Sequence, residues 1–265
     1  MHPVKVWVFT PSFCKADLLT DFFKTLGVIT KSSLIFPVQH VIIDNHYPVG
    51  KTKNSDALKQ LAQAHDAIYI DSGKDLGLHG GLNNACKQLP IEPQDIFIGV
   101  DPDDRPDKEF IDKITKTLIF NLDIGIIGLN FWVIDQRFQQ GKLTEYIDAD
   151  GTVIWKHPFI EMWNVIGTRF STVMNMGGFN QTYAYYGGFE VAFINQLHAE
   201  KRKLAYLKDC RSDRIAMDRE NRILFDPEYR QWKTDHVDRR FNGSFEEWLI
   251  ANGKQDLITS KHREQ

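Results

Sequence analysis

Short apolar runs recur along the first half of the chain, and each ends in polar or turn-forming residues. Val4 to Phe9 is one such run, closed by Thr10, Pro11 and Ser12, and it predicts a core strand. Lys15 to Leu26 carries Leu18, Leu19, Phe22, Phe23 and Leu26 at helical spacing, with Gly27 as the stop. His40 to Asn45 predicts a second buried strand ending in Asp44-Asn45. A polar segment follows, and then a helix from about Ser55 to Ala64. Ala67 to Asp71 is the third strand. Gly73 to Gly81 reads as a glycine-bearing loop leading into a short helix, Leu82 to Leu89. Asp95 to Val100 is the fourth strand and Lys108 to Phe120 the helix after it.

This alternation predicts an α/β fold, Rossmann-like, with a mostly parallel sheet and helices on both faces. Ligands on such sheets bind beyond the carboxyl ends of the strands. The polar strand ends Thr10-Pro11, Asp44-Asn45, Asp71-Ser72 and Asp101 to Asp104 are therefore expected along one rim.

The second half is less regular. Ile124 to Leu129 predicts another core strand, and Ile147 to Trp155, broken by Asp150-Gly151, predicts a hairpin. Phe170 to Met176 predicts a short helix ended by Gly177-Gly178. Phe189 to Glu200 predicts a longer helix, and Lys203 to Leu207 a final strand. Beyond Asp209 the chain is charged, with scattered Trp232, Phe241, Phe245 and Trp248, as expected of a helical or irregular tail packed on the core or covering a site.

Composition narrows the field. The 265 residues, 42% hydrophobic, suffice for one large domain or two small ones. A net charge of -3 supplies no basic field for nucleic acid or anionic lipid. Cys14, Cys86 and Cys210 have neither metal-site nor disulfide-framework spacing and fit a reducing, cytoplasmic setting. The amino-terminal segment does not read as a signal peptide, and no apolar run approaches the ~18 residues of a membrane span.

The acidic end of the fourth strand carries candidate chemistry. Asp101, Asp103 and Asp104 lie between Pro102 and Pro106. In an extended chain, period-2 geometry puts Asp101 and Asp103 on one side. Carboxylates held together repel, and Mg²⁺ or Mn²⁺ would relieve that repulsion. An acidic turn capping the next helix is the alternative.

Several of these segments, taken in order, resemble the GT-A fold, nucleotide-sugar-dependent glycosyltransferases, in particular the large inverting family that includes the bacterial rhamnosyltransferase-like enzymes. Thr10-Pro11 resembles that family's nucleotide-contacting turn, and Ile42-Ile43-Asp44-Asn45 its second-strand end, where the Asp meets the base. Asp75 to Ala85, with Gly77, His79, Gly80, Gly81 and Asn83, is similar to its Asn-x-Gly-Phe-x-x-Gly-x-Asn-x-Gly loop. Asp101-Pro102-Asp103-Asp104 is similar to its Asp-x-Asp metal motif. Met176 to Asn180 and Tyr186 to Val191 are similar to the Gly-Gly-Phe-Asp-Glu and Gly-Gly-Glu-Asp stretches of its acceptor half. Two departures stand out: Asp75 replaces Asn, and Phe189-Glu190 replaces the usual Glu-Asp pair.

The resemblance implies a GT-A domain over 1–209, with a nucleotide-binding half at 1–120 and an acceptor half at 121–209, plus an extension at 210–265. It implies a metal-dependent inverting glycosyltransferase, with UDP as the commonest nucleotide and dTDP and GDP open. Mn²⁺ or Mg²⁺ would be held by Asp101 and Asp103, with His236 completing the site from the tail. Thr10, Pro11, Asp44, Gly77, Gly80, Gly81, Asn83 and Asp101 would contact the donor, and Glu190 would be the catalytic base. A glycan, protein, lipid-linked saccharide or small molecule would be the acceptor. Plain readings stand beside these roles. The glycines also suit a tight turn, Asp44-Asn45 a turn start, Glu190 a solvated helix start and His79 an ordinary surface position. Trp155, Trp163, Tyr183, Tyr185 and Tyr186 suit core packing as well as sugar stacking, and Arg211 and Arg214 suit solvent as well as a diphosphate. A non-catalytic nucleotide- or carbohydrate-binding protein and a sugar-nucleotide nucleotidyltransferase are the alternatives. The second of these wants a glycine-rich basic loop after the first strand, where this chain has Thr10 to Cys14. A dehydrogenase would want Gly-x-Gly-x-x-Gly there.

Overall fold

The computed structural model describes residues 3–12, 35–45, 53–74, 76–102, 104–130, 140–141, 144–147, 151–156, 165–179, 197, 199–214, 227–237 and 240–257. The helix expected over Lys15 to Leu26 lies outside these residues, as does nearly all of the one expected over Phe189 to Glu200.

The first strand, β1 (Val6–Ser12), is buried along its whole length, which is why its sequence is a near-continuous apolar run. It pairs in parallel with β2 (Val38–Asp44) on one side and β4 (Ile96–Val100) on the other. Beyond β2 lies β3 (Ile68–Asp71), again parallel. The connecting helices are α1 (Lys53–Ala64), between β2 and β3, and α2 (Gly77–Gln88), between β3 and β4. The chain then forms β5 (Asp104–Pro106), α3 (Phe110–Phe120) and β6 (Ile124–Asn130). A hairpin of β7 (Thr144–Ile147) and β8 (Val153–Lys156) follows, as the Asp150-Gly151 pair suggested. After it come β9 (Val165–Arg169), α4 (Phe170–Asn175) and β10 (Lys203–Arg214). The sheet runs β3-β2-β1-β4-β9-β6-β10-β8-β7, with β5 pairing to β10.

Period-2 alternation sorts the side chains onto two faces. Val6, Val8, Ile42 and Ile98 pack under α1 and α3, against Leu58, Ile114 and Leu118. Trp7, Phe9, Val41, Ile43 and Phe97 pack on the opposite face with Leu82 of α2 and Phe170 of α4. There Phe9 stacks on Phe97 at 5.0 Å between ring centroids, and Phe170 meets Phe97 edge-on at 5.9 Å.

Three expectations change. The stretch before Leu82 is helical from Gly77 onward, because burial of Gly77, His79, Gly81, Leu82 and Ala85 against the sheet outweighs the poor helix propensity of glycine. The last strand continues past Leu207 to Arg214, because it gains β5 as a third partner, beside β6 and β8, after a bulge between Leu207 and Arg211. And β9, which the apolar pattern alone did not single out, lies antiparallel between β4 and β6.

Polar side chains close the strand and helix ends. The Asp95 carboxylate accepts the amides of Lys5 (3.1 Å) and Glu92 (3.0 Å) and the Trp7 indole N–H (2.9 Å). The Arg169 guanidinium donates to the carbonyls of Ile124 (2.7 Å), Asn121 (2.8 Å) and Leu118, so a cation closes the carboxyl end of α3. Burial pushes its pKa below the usual arginine range.

In the tail, α5 (Pro227–Val237) and α6 (Phe245–Ala251) share a small apolar cluster of Trp232, Phe245, Trp248 and Leu249. Ser244 and Glu247 form a capping box at the start of α6. Among the described residues no helix is long and apolar enough to cross a membrane.

Candidate active site

The parallel register gathers the expected strand ends on one rim. Ser12 lies beside Asp44, and Asp44 beside Asp71. Across β1, Phe9 is level with Gly99, so Asp101 emerges two residues later at the same level as Pro11. The rim thus brings together Thr10, Pro11, Asp44 and Asp101. Asp103, Asp75 and Glu190 lie outside the described residues, as do Trp163, Tyr183, Tyr185, Tyr186 and the side chains of Trp155, Arg214 and His236. Among the described residues no three His, Cys, Asp or Glu side chains converge as a metal site.

Each rim residue has a local structural cause. Thr10 is fully buried, and its hydroxyl lies 2.8 Å from Nε2 of His40 on the neighbouring strand. Burial, aided by the charge of His65, pushes the His40 imidazole down to about 3, so it is neutral at ordinary pH. Asp44 accepts the Tyr69 hydroxyl at 2.7 Å. Burial first, and then that carboxylate, hold the Tyr69 phenol well above its ordinary range. His40 and Tyr69 organise the rim but carry no motif; only their period-2 placement facing Thr10 and Asp44 signals them.

The glycines of α2 answer to packing. Asn45, fully buried, donates to the carbonyl of Gly77 (3.0 Å) and accepts the Ser72 hydroxyl (2.9 Å). A Cβ on Gly81 would lie 2.4 Å from the Asn45 side-chain oxygen, so this amide fits only beside a bare backbone. A Cβ on Gly80 would lie 2.8 Å from that of Leu76, and Gly77 opens the helix at φ +66°. His79, which the sequence left between a ligand contact and a surface position, is fully buried with its ring 6.1 Å from that of Phe179.

Asn83 forms a clasp. Its side-chain nitrogen donates to the Phe179 carbonyl (2.7 Å), and its oxygen accepts the Phe179 amide (2.9 Å). Gly178, at φ +98°, permits this approach, since a Cβ there would lie 2.8 Å from the Asn83 oxygen. The clasp ties α2 to the segment that leads toward residue 190. A cleft of about 570 Å³ opens beside it, lined by Asn83, Cys86, Lys87, Met174, Met176 and Gly178, and Thr10, Asp44 and Asp101 do not line it.

The acidic segment is a closed turn. The Asp104 amide donates to the Asp101 carbonyl at 3.0 Å, the i to i+3 bond of a β-turn. The fully buried Asp104 carboxylate accepts the Asp101 amide at 3.3 Å. Nη1 of Arg105 donates to the carbonyls of Pro102 (2.9 Å) and Asp104 (2.8 Å). On the far side, β5 pairs with the end of β10, Arg214 opposite Asp104. The contact extends to Asp107, whose amide donates to the Arg211 carbonyl (2.8 Å) and whose carboxylate accepts the Arg211 amide (2.6 Å).

No family model matches the chain. No curated protein matches it either. Solved structures do match. A mannosyltransferase from Pyrobaculum calidifontis, PcManGT, in complex with GDP-Man and Mn²⁺, is 12% identical with a TM-score of 0.59, over 98% of this chain and 71% of that one. Residues 1–349 of TarS from S. aureus are 14% identical with a TM-score of 0.56, over 78% of this chain and 58% of that one. GalNAc-T7 with UDP, GalNAc and Mn²⁺ is 9% identical with a TM-score of 0.56, over 94% of this chain and 56% of that one. At 9 to 14% identity such likenesses show architecture alone, an α/β sheet with helices as in those structures: the chain has the GT-A fold.

Proposed function

We propose that the protein is a metal-dependent, inverting glycosyltransferase that moves a sugar from a nucleoside-diphosphate sugar to an acceptor hydroxyl. The observation that carries this reading is the convergence of Thr10, Pro11, Asp44 and the acidic turn after β4 on one rim of a GT-A sheet. The matched mannosyltransferase holds GDP-Man and Mn²⁺, and TarS has been solved with UDP-GlcNAc.

In this reading residues 1–209 form the transferase domain and 210–265 an extension. Pro11 and the backbone around Thr10 line the base, and Asp44 accepts its N–H. The first turn of α2, opened by Gly77, offers backbone amides that lack intrahelical partners to the diphosphate, and Gly80 and Gly81 add no side chains there. Asn83 contributes by holding Phe179. Carboxylate oxygens on a fixed turn suit Mn²⁺ or Mg²⁺, and Asp101 and Asp103 would hold the ion, with His236 added from the tail. When bound, the ion neutralises charge on the departing diphosphate. Glu190 takes the acceptor's proton as its oxygen bonds to the anomeric carbon. The carbon–phosphate-oxygen bond breaks and its electron pair leaves with the diphosphate. One displacement inverts the anomeric centre. A cytoplasmic setting, with a glycan, protein, lipid-linked or small-molecule acceptor, completes the proposal.

The test is calorimetric titration of UDP, GDP and dTDP into metal-free protein, with and without Mn²⁺, on the wild type and Asp103→Ala. One nucleotide is expected to bind only with metal, and the variant to lose that dependence. Donor hydrolysis that disappears in Glu190→Gln extends the result to catalysis; binding without turnover points to the non-catalytic alternative. No binding under any condition refutes the proposal.

A further inference from the structure

The end of the sheet opposite the rim carries an apolar tip. Strands β6 and β10 start there, since β6 runs parallel to β4 through the antiparallel β9 between them. Phe120 closes α3, and Leu122 lies in the turn that leads to β6; they are 63% and 68% exposed. The turn is held by the protein's own donors. The carbonyls of Thr117 and Asn121 accept the amides of Asn121 (3.0 Å) and Ile124 (3.1 Å). Arg169 donates to the Leu118 carbonyl, Arg202 to that of Leu122, and the Lys203 amide to that of Asp123 at 2.7 Å. A helix end ordinarily leaves its last carbonyls to solvent. With these donors in place, the backbone of the tip leaves water without losing hydrogen bonds. Cations surround it. Lys116 lies one turn behind Phe120 on the same face of α3, with Asp112 a turn farther from the tip. Lys201, Arg202 and Lys203 form the neighbouring turn. The carboxylates within these two turns are Asp123, paired with Lys203, and Glu200. Lys116, Lys201 and Arg202 therefore stand in excess over Glu200.

We propose that this tip is a docking surface for an anionic lipid bilayer: Phe120 and Leu122 enter the headgroup region, and Lys116, Lys201 and Arg202 meet the negative groups of the lipids. Shallow apolar insertion beside basic residues holds a protein to a membrane without a spanning helix. Each Lys or Arg near an anionic surface raises affinity about fivefold. The chain as a whole carries a charge of -3, so the attraction is local, confined by screening to within about 10 Å of the tip. A second copy is a poorer occupant, because a two-fold interface would set the same cations against each other. Docked this way, the rim points away from the bilayer across the length of β1, seven residues or roughly 20 Å. The inference stands on the tip alone and does not depend on the transferase reading.

The experiment is co-sedimentation of the full chain with vesicles of phosphatidylcholine alone and of phosphatidylcholine mixed with phosphatidylserine, at low and high salt. Wild type, the double variant Phe120→Ser with Leu122→Ser, and the double variant Lys116→Gln with Lys201→Gln are compared, with thermal unfolding as the check on folding. The wild type is expected to bind the phosphatidylserine vesicles and to be released by salt. The serine variant is expected to lose affinity by about tenfold or more, and the glutamine variant by a similar factor. If the serine pair does not fold, Leu122→Ser alone takes its place. No binding of the wild type to phosphatidylserine vesicles overturns the inference, as does equal binding to neutral vesicles or unchanged affinity in a variant that folds. Self-association in sedimentation equilibrium that the serine variant abolishes gives the tip to a second copy and overturns it too. Nucleotide titration of the same variants is expected to match the wild type, and its failure in the wild type bears on the transferase reading alone.

Discussion

Gly81→Ala separates two meanings of a bare backbone. If Gly81 is bare so that a ligand can approach, the alanine variant should keep its stability and lose nucleotide affinity. The structure gives a different cause. The new methyl would lie 2.4 Å from the oxygen and 2.6 Å from the nitrogen of the Asn45 side chain, in a site with no exposure. Either α2 shifts outward or Asn45 abandons its bonds to Gly77 and Ser72. Overpacking of this kind costs about 1–3 kcal/mol, and each hydrogen bond lost adds about 1 kcal/mol. Against this, alanine in a helix interior is favoured over glycine by about 1 kcal/mol. The net is a loss of about 1–4 kcal/mol, or a Tm lowered by very roughly 3–15 °C for a chain of this size. Urea unfolding followed by tryptophan fluorescence reads it. The sharper readout is a double-mutant cycle. With Asn45→Ala the obstacle is gone, so adding Gly81→Ala should become neutral or stabilising by up to about 1 kcal/mol. A Gly81→Ala penalty of the same size in both backgrounds would refute the argument, and so would a single variant as stable as wild type.

Three further perturbations follow from buried polar groups. Asp95→Asn replaces one acceptor oxygen with an N–H₂ facing the Lys5 amide or the Trp7 and Glu92 donors; a loss of about 2–3 kcal/mol is expected in urea unfolding. Arg169→Met strips the cation from the Leu118, Asn121 and Ile124 carbonyls. It should cost about 2–4 kcal/mol and speed amide exchange in the last turn of α3 ahead of the rest of the sheet. His40 resists protonation down to about pH 3 when folded but takes a proton near 6.5 when unfolded, so its contribution is whole above pH 6.5 and is lost as pH falls. His40→Gln, which keeps an amide for Thr10, should flatten the acid limb of the stability curve by several kcal/mol between pH 6.5 and 3; identical limbs would show that the imidazole does not titrate this way.

The strands of the first half were legible because β1, β4 and the second half of β2 are buried on both faces and read as apolar runs, while the half-buried β3 still carries Ile68, Tyr69 and Ile70. The rim was legible for the same reason: where the run stops, polar residues must sit at the sheet end. Helix α2 was misread in its first turn because glycine at 77, 80 and 81 scores as loop, while the cause of helicity is the Asn45 amide and the sheet beneath. Strand β9 is five residues with a central glycine, and that glycine lies against Ile114, a contact invisible in one dimension. The polar end of β10 lacks an apolar signal because its partner there is β5, made of Asp104, Arg105 and Pro106. Asn83 carried a motif-level signal as a donor contact, yet its two polar groups meet Phe179, far along the chain.

The position of β9 also bears on how the protein is made. Strands β4 and β6 leave the ribosome well before β9, and it is β9 that joins them. At about 5–20 residues per second, the gap between Asn130 and Arg169 amounts to a few seconds of synthesis. During that time β4 has one unpaired edge and β6 has two, since β10, its other neighbour, comes later still. Such edges invite pairing with other nascent chains. The seam through the middle of the sheet is therefore where slow translation or a missing chaperone would first be felt, as aggregation of a chain whose finished form hides both strands.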